Sequence, residues 1–383
     1  MIEVVVTILV WTTFAASAFV SAMSLVNLLF FRKAKVVARS ANETQISVLI
    51  PARNEADRIG PLLDSVLSSC GVVCDVCVLD DESHDGTDTI VRSYSQNHPN
   101  VRLLRGGAIP SGWSGKQWAC FQLAQQAQHD EMVFLDADVA LSSDALLRAV
   151  TLRRQCSADL LSGFPHQRVV TMGEQLLIPL IQLILLCFLP FGLMRWTRMT
   201  GAAAGCGQFF LTTRQAYRVS GGHGAIRQSL HDGIMLPRSY RLAGLKTDLF
   251  DASDVASCRM YTSFEDTWAG LLKNATEGFA RMPLLPVMTI LMLLAFVFPV
   301  LSAMALSIGM ISTGFVAPVA GSCLLSYLPR LLCCLKYDRA WLACLLNPVS
   351  IVLFLIIQWS ALTRKSRGKG VQWRQRSYKI ATS

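Results

Sequence analysis

The sequence predicts an α/β protein: a mostly parallel, Rossmann-like sheet domain flanked by transmembrane helices. Three observations carry this prediction. Apolar residues make up 52% and charged residues 16%, against roughly 25% charged in an ordinary soluble domain, and the apolar excess gathers at the two ends and near the middle. Between residues 45 and 135, four short apolar runs alternate with helical patterns. The polar motifs of that region sit at the ends of those runs, where ligands of parallel sheets bind.

The flanking segments come first. Residues 4–31 are almost uncharged, and at ~1.5 Å per residue they can cross a hydrocarbon core of ~30 Å. Glu3 precedes the run, and Arg32, Lys33, Lys35 and Arg39 follow it. A cleaved signal peptide has the opposite flank, so the run is read as a retained anchor (residues 1–31) with residue 32 onward in the cytoplasm. A second apolar block covers 283–362, with 284–308 and 341–362 as spanning segments. The stretch 313–335 between them, interrupted by Pro318, Pro329 and Arg330, is expected to be interfacial or re-entrant, because two crossings keep the basic tail 363–383 in the cytoplasm. These features predict a multi-pass protein of the cell membrane with its sheet domain, residues 45–280, on the cytoplasmic side. A further apolar run, 174–196, carries Pro179 and Pro190 and is expected to seat that domain on the bilayer, with a buried core helix as the alternative.

The net charge of +9 is explained by juxtamembrane clusters that face anionic lipid, so nucleic acid is not an expected partner. The 12 cysteines show no paired Cys-x-x-Cys spacing, and are read as buried reduced thiols.

Within the sheet domain, 45–50 is a buried strand ended by Pro51, followed by the loop Ala52-Arg53-Asn54-Glu55 and a helix over 58–67. A second strand, 72–79, runs into Asp80-Asp81-Glu82-Ser83 and a turn at Gly86 before a helix over 88–96. A third strand covers 101–104, and a helix covers about 116–128. A fourth strand, 132–135, ends in Asp136-Ala137-Asp138. Strands alternating with helices imply right-handed crossovers and a parallel sheet.

Two carboxylates separated by one small residue can jointly reach a divalent ion, and Mg²⁺ or Mn²⁺ accept phosphate oxygens in the same shell. Asp136 and Asp138 are therefore candidate metal ligands, with a solvated turn as the bland alternative. Asp81, with Asp80 as its rival, can accept hydrogen bonds from a nucleobase imide or ribose hydroxyls. Glu55 can hold ribose, and Arg53 can approach the base or phosphates beside Pro51 on the same rim.

Taken together, Pro-Ala-Arg-Asn-Glu at 51–55, Asp-Asp-Glu-Ser-His-Asp-Gly-Thr at 80–87 and Asp-Ala-Asp at 136–138 resemble the GT-A inverting glycosyltransferases of family 2 over residues 47–244. The downstream landmarks are similar: Gly205 to Gln208, Arg214, Gly221-Gly222, then His231-Asp232, Arg238, Arg241 and Gly244. The resemblance implies a GT-A fold, a nucleotide-sugar donor (UDP by family habit), a divalent metal and Asp232 as the general base; His231 replaces the family's usual Glu. An acceptor hydroxyl is a poor nucleophile, and a carboxylate within ~3 Å can take its proton. Gly-Trp-Ser-Gly-Lys-Gln-Trp-Ala-Cys at 112–120 is similar to the branch containing hopanoid-associated and carotenoid-type (diaponeurosporenoate) glycosyltransferases. That branch places Lys116 near the donor or the acidic pair and implies a lipid-like acceptor, which would enter beside Asp232 from the bilayer side. The ending Trp373-Arg374-Gln375-Arg376-Ser377-Tyr378 departs from the branch at Gln375. No Gln-x-x-Arg-Trp follows Asp232, so a single transfer is expected. A non-catalytic nucleotide-sugar-binding scaffold is the competing class. Arg259, Met260, Tyr261, Trp268, Lys273 and Asn274 are read as either an acceptor gate or membrane-surface packing.

Overall fold

Apolar runs alternating with amphipathic helices build an eight-stranded sheet in the computed structural model, which describes residues 1–36, 44–338, 340–368, 371–373 and 376–378. The sheet belongs to a compact unit made of Phe31–Arg168 and Phe191–Met260. Its strands are β1 (Arg32–Lys33), β2 (Thr44–Ala52), β3 (Val72–Asp80), β4 (Val101–Arg105), β5 (Glu131–Leu135), β7 (Leu160–Phe164), β9 (Phe209–Thr213) and β10 (Thr247–Asp251). Three short strands, β6 (Val139–Leu141), β8 (His166–Gln167) and β11 (Ala256–Cys258), form a side sheet. The main order is β1-β10-β7-β9-β5-β2-β3-β4. All its pairings are parallel except those of β9, which runs antiparallel to both β5 and β7.

The four strands expected from the sequence are β2 to β5. Their near-continuous apolar runs follow from burial on both faces. Ile46, Val48 and Ile50 of β2 point to one side, into a core with Ile59, Leu62, Leu63 and Val66 of the helix Ala56–Leu67. Leu49 points to the other, with Met132 and Phe134 of β5 and Ala119, Cys120 and Leu123 of the helix Gly115–Gln126. Leu62 is fully buried, so truncating it to Ala costs about 2–5 kcal/mol. The register that matters for function sets Ala52 beside Asp80 and Leu49 beside Phe134, which aligns the carboxyl ends of β2, β3 and β5.

The second unit comprises Met1–Phe30, Val169–Pro190 and Tyr261–Ser383. Among its described residues, four helices are long and apolar enough to cross a membrane: Ile2–Phe30, Leu284–Ser307, Thr313–Tyr337 and Asn347–Ser366. The third covers the stretch 313–335 that the sequence reading expected to be interfacial or re-entrant. Pro318 lies in its first turn, where no helical hydrogen bond is lost, and Pro329 is accommodated inside the helix. Small and polar residues of Ile2–Phe30 (Thr13, Ser17, Ser21, Ser24, Asn27) recur on one buried face and let neighbouring backbones approach. Ser17 donates to the Ala295 carbonyl at 3.0 Å, and a methyl group on Gly321 would come within 2.9 Å of Phe14.

The unit boundaries also differ from the sequence reading. The sheet unit closes at Met260, where the sequence reading ran to 280, and Val169–Pro190 groups with the apolar helices. Its helix Pro179–Phe188 buries Leu180, Leu183 and Leu186, and Asn27 caps its end by donating to the carbonyls of Leu186 (2.8 Å) and Leu189 (2.6 Å).

Candidate active site

The site forms where β5 ends. Asp136 donates its backbone N–H to the Gln208 carbonyl at 3.2 Å, and Val139 closes a turn onto the Asp136 carbonyl at 3.2 Å. Ala137 is packed into the core between its two acidic neighbours. The Lys116 ammonium, one residue into the helix Gly115–Gln126, lies 2.6 and 2.9 Å from the two Asp136 carboxylate oxygens and 2.8 Å from Asp232 Oδ2. It also reaches the Gly207 carbonyl at 3.4 Å. One cation thus joins two of the acidic residues singled out in the sequence.

Asp232 opens the helix Asp232–Leu242, where the helix dipole favours a negative charge. Its Oδ1 accepts the Gly233 N–H at 2.9 Å. The strand of chain 205–207 passes directly over this carboxylate: a Cβ on Gly207 would stand 2.2 Å from Asp232 Oδ1. The loop before Asp232 is clamped from the lysine helix. Ser114 N–H donates to the Arg227 carbonyl at 2.7 Å, Ser114 Oγ to the Ser229 carbonyl at 2.9 Å, and Gln117 Nε2 to the same carbonyl at 3.3 Å.

These contacts set the charges. Burial pushes the Asp232 carboxyl up, but the Lys116 ammonium, with lesser help from His223 and His231, outweighs it and holds the group at about 2. For Lys116, burial favours the neutral amine, but Asp136 and Asp232 keep the ammonium well above its ordinary range. Asp138 has no such partner. Its Oδ1 is buried without a hydrogen bond among the described residues. Burial, then the charges of Asp136 and Glu55, push its carboxyl up to about 7. An uncompensated carboxylate beside a second one fits a hard divalent cation. Among the described residues no three His, Cys, Asp or Glu side chains gather as a full ligand set, so the arrangement suits an ion whose shell is completed by diphosphate oxygens and water.

The rim singled out in the sequence lies at the ends of β2 and β3, where two loops interlock. Arg53 Nη1 donates to the Asp81 carbonyl at 2.5 Å and lies 4.0 Å from its carboxylate. Glu55 N–H donates to Thr87 Oγ1 at 2.8 Å, and Ala56 N–H to Asp85 Oδ2 at 2.9 Å. Gly86 takes φ 91°, a left-handed turn that delivers the chain into the helix Thr87–Asn97. Pro51 pairs with Leu79 just below this rim. Asp80 receives the Ser83 N–H at 3.3 Å, and its Oδ1 is buried without a partner among the described residues.

Sequence reasoning gave several contributors no role of their own. Arg58 pairs with Glu55 at 3.3 Å, a contact its i,i+3 spacing could have signalled. Gly207, Gln117 and Ser114 act through backbone closeness and loop clamping, which have no local sequence signature. His223 is buried with its ring on Tyr217 Oη at 2.9 Å, and burial drives its imidazole down to about 3. Arg241 is a structural staple, donating to the Thr197 carbonyl and to Thr247 Oγ1, each at 2.9 Å. The candidate gate is divided: Arg259 and Met260 belong to the sheet unit, Tyr261, Trp268, Lys273 and Asn274 to the helical one. In the tail motif, Arg374 and Gln375 lie outside the described residues, as does Arg39 of the first basic cluster.

Residues 47–217 match the model of glycosyl transferase family 2 and carry the sequence features of that family's domain. Over 244 residues it is 29% identical to a 4,4'-diaponeurosporenoate glycosyltransferase of Staphylococcus haemolyticus, covering 63% of this chain and 64% of that protein. It is 27% identical over 256 residues to the protein of the same name from Staphylococcus aureus, covering 66% of each. The chain therefore spans a little under two thirds of the length of these relatives. A mannosyltransferase from Pyrobaculum calidifontis, solved with GDP-Man and Mn²⁺, superposes with a TM-score of 0.54 at 17% identity, over 93% of this chain and 99% of that one. The likeness establishes the GT-A fold of the family 2 domain.

Proposed function

We propose that this protein is a membrane-bound inverting glycosyltransferase that moves one sugar from a nucleotide-sugar donor, a UDP-sugar, to a hydroxyl or carboxyl group of a lipid-like acceptor. The observation that carries the reading is the Asp136–Lys116–Asp232 bridge: residues 20 and 116 positions away from Lys116 converge on its ammonium at the carboxyl end of a parallel sheet. The lipid-like acceptor is supported by the names of the staphylococcal relatives and by the four long apolar helices.

In this reading Asp81, Glu55 and Arg53 hold the nucleoside on the rim. Asp138 and Asp136 would hold a Mg²⁺ or Mn²⁺ ion, which when bound neutralises the departing diphosphate. Asp232 takes the acceptor proton during attack from the face opposite the leaving group. A carboxyl held at about 2 is a weak base toward a hydroxyl. The donor diphosphate removes this difficulty by competing for the Lys116 ammonium, which frees Asp232 and returns its basicity. An acceptor carboxylate arrives already ionised and asks less of Asp232.

The test is transfer by full-length protein in detergent, with UDP-sugars and a polar-lipid extract, read by product mass. A glycoside whose formation is lost in both Asp232→Asn and Asp138→Asn, each still folded, is expected. Full activity in either variant, or nucleotide binding without any turnover, would overturn the assignment, the latter in favour of a binding scaffold.

A further inference from the structure

The helical unit contains a groove of about 890 Å³ between the helices Leu284–Met292 and Asn347–Ser366. Its walls are apolar, from Leu293, Val352 and Ile356 among others. Val352 and Ile356 are 38% and 47% exposed, on a helix long and apolar enough to cross a membrane. Such side chains face hydrocarbon when the helix is embedded. Trp359 Nε1 donates to Thr289 Oγ1 at 3.0 Å and ties the two helices together across the groove. That bond holds the walls at a fixed separation.

The groove has one charged end. Arg364 and Arg367 line it, three positions apart on one helix and therefore on one face. Neither joins an ion pair among the described residues, and no carboxylate lines the groove. An apolar trough closed by two guanidinium groups is complementary to a long acyl chain ending in an anion. Guanidinium groups bind phosphate oxygens through paired N–H donors. A zwitterionic headgroup brings its own ammonium and gains less from two further cations.

We propose that this groove binds one anionic phospholipid, its acyl chain along Leu293, Val352 and Ile356 and its phosphate on Arg364 and Arg367. The inference rests on the membrane placement proposed above and not on the catalytic assignment. No residue of the transfer site takes part in it.

Native mass spectrometry of the full chain in mild detergent tests it, with phosphatidylglycerol, phosphatidylcholine and soluble glycerol phosphate as probes. Phosphatidylglycerol is expected to be retained roughly tenfold or more over phosphatidylcholine, because each basic side chain contributes to anionic-lipid attraction. R364Q/R367Q should remove that preference, and Ile356→Trp, which fills the trough, should lower retention of both lipids. Equal retention of the two lipids, an unchanged preference in R364Q/R367Q, or glycerol phosphate binding as tightly as the lipid would each overturn the groove assignment. Recovery of the protein in the soluble fraction without detergent would instead sink the membrane placement, so the two failures are told apart.

Discussion

The two units of this chain treat buried polarity differently. In the sheet unit, buried charges meet counter-charges: Arg102 with Asp75 at 2.9 Å, Arg153 with Glu131 at 2.7 Å, Arg195 with Asp248 at 2.9 Å, and Lys116 with both Asp136 and Asp232. In the helical unit, Arg330 is wholly buried and donates one hydrogen bond, from Nη2 to the Gln175 carbonyl at 3.2 Å; its Nε and Nη1 have no partner among the described residues. Asn347 Oδ1, Ser350 Oγ and Gln182 Nε2 are buried in the same condition. The contrast gives meaning to the exceptions. In the sheet unit, Asp80 Oδ1 and Asp138 Oδ1, two carboxylate oxygens buried without a partner among the described residues, lie at or just past the carboxyl ends of β3 and β5.

The largest effect that would break this comparison comes from Gly207→Ala. A methyl group 2.2 Å from Asp232 Oδ1 cannot be accommodated without moving the carboxylate or the loop. A displacement of about 1 Å at a reacting group costs on the order of a hundredfold in turnover. We expect kcat to fall by that order while nucleotide affinity, measured by calorimetry, stays near the parent value. A parent-like kcat would mean the loop does not constrain Asp232.

Lys116→Met sharpens the electrostatic side. Removing the ammonium takes away the chief influence that lowers the Asp232 carboxyl, so burial raises its pKa from about 2. The acid limb of the kcat/KM profile should therefore move to higher pH, with a loss of roughly tenfold near neutrality from weaker diphosphate binding. An unmoved acid limb would separate Asp232 from the lysine.

Much of this was visible in the sequence because it is local. Strands β2 to β5 are short apolar runs, and Asp80, Asp81, Asp136 and Asp138 follow them directly. The antiparallel strand β9 was not visible, since Phe209–Thr213 has the same apolar character as a parallel neighbour and only its pairing with β5 decides direction. The grouping of Val169–Pro190 with the N-terminal helix was hidden for a similar reason: it depends on Asn27 meeting Leu186 and Leu189, about 160 positions away. Gly207 was noted as a landmark, but its need for a missing side chain arises only from the approach of Asp232.

A smaller effect separates the two kinds of burial by pH. His223 is neutral in its pocket, with a pKa lowered from 6.5 to about 3. The unfolded chain binds a proton below 6.5 and the folded one does not, so stability is lost as pH falls from 6.5 toward 3, by at most about 1.4 kcal/mol per pH unit. His223→Gln can keep a partner for Tyr217 but cannot titrate. The difference in unfolding free energy between parent and variant should therefore change with that slope across this window. Parallel curves would show that His223 is protonated in the folded state.

The smallest effect we expect tests the helical unit directly. Removing one member of an answered buried pair is strongly destabilising, because the other charge is left alone. Arg330 has no counter-charge to strand, so Arg330→Met removes a desolvated guanidinium and keeps most of the side chain's volume. Its single bond to the Gln175 carbonyl is worth about 1 kcal/mol, which the relief of desolvation offsets. The melting temperature in detergent should hold or rise slightly. By the same logic Arg153→Met, which leaves Glu131 with less compensation, should lower it. A fall for Arg330→Met as large as that for Arg153→Met would mean that the bundle supplies Arg330 with an anion when the protein is in its membrane-like environment, and the contrast between the two units would then be one of where the counter-charge comes from.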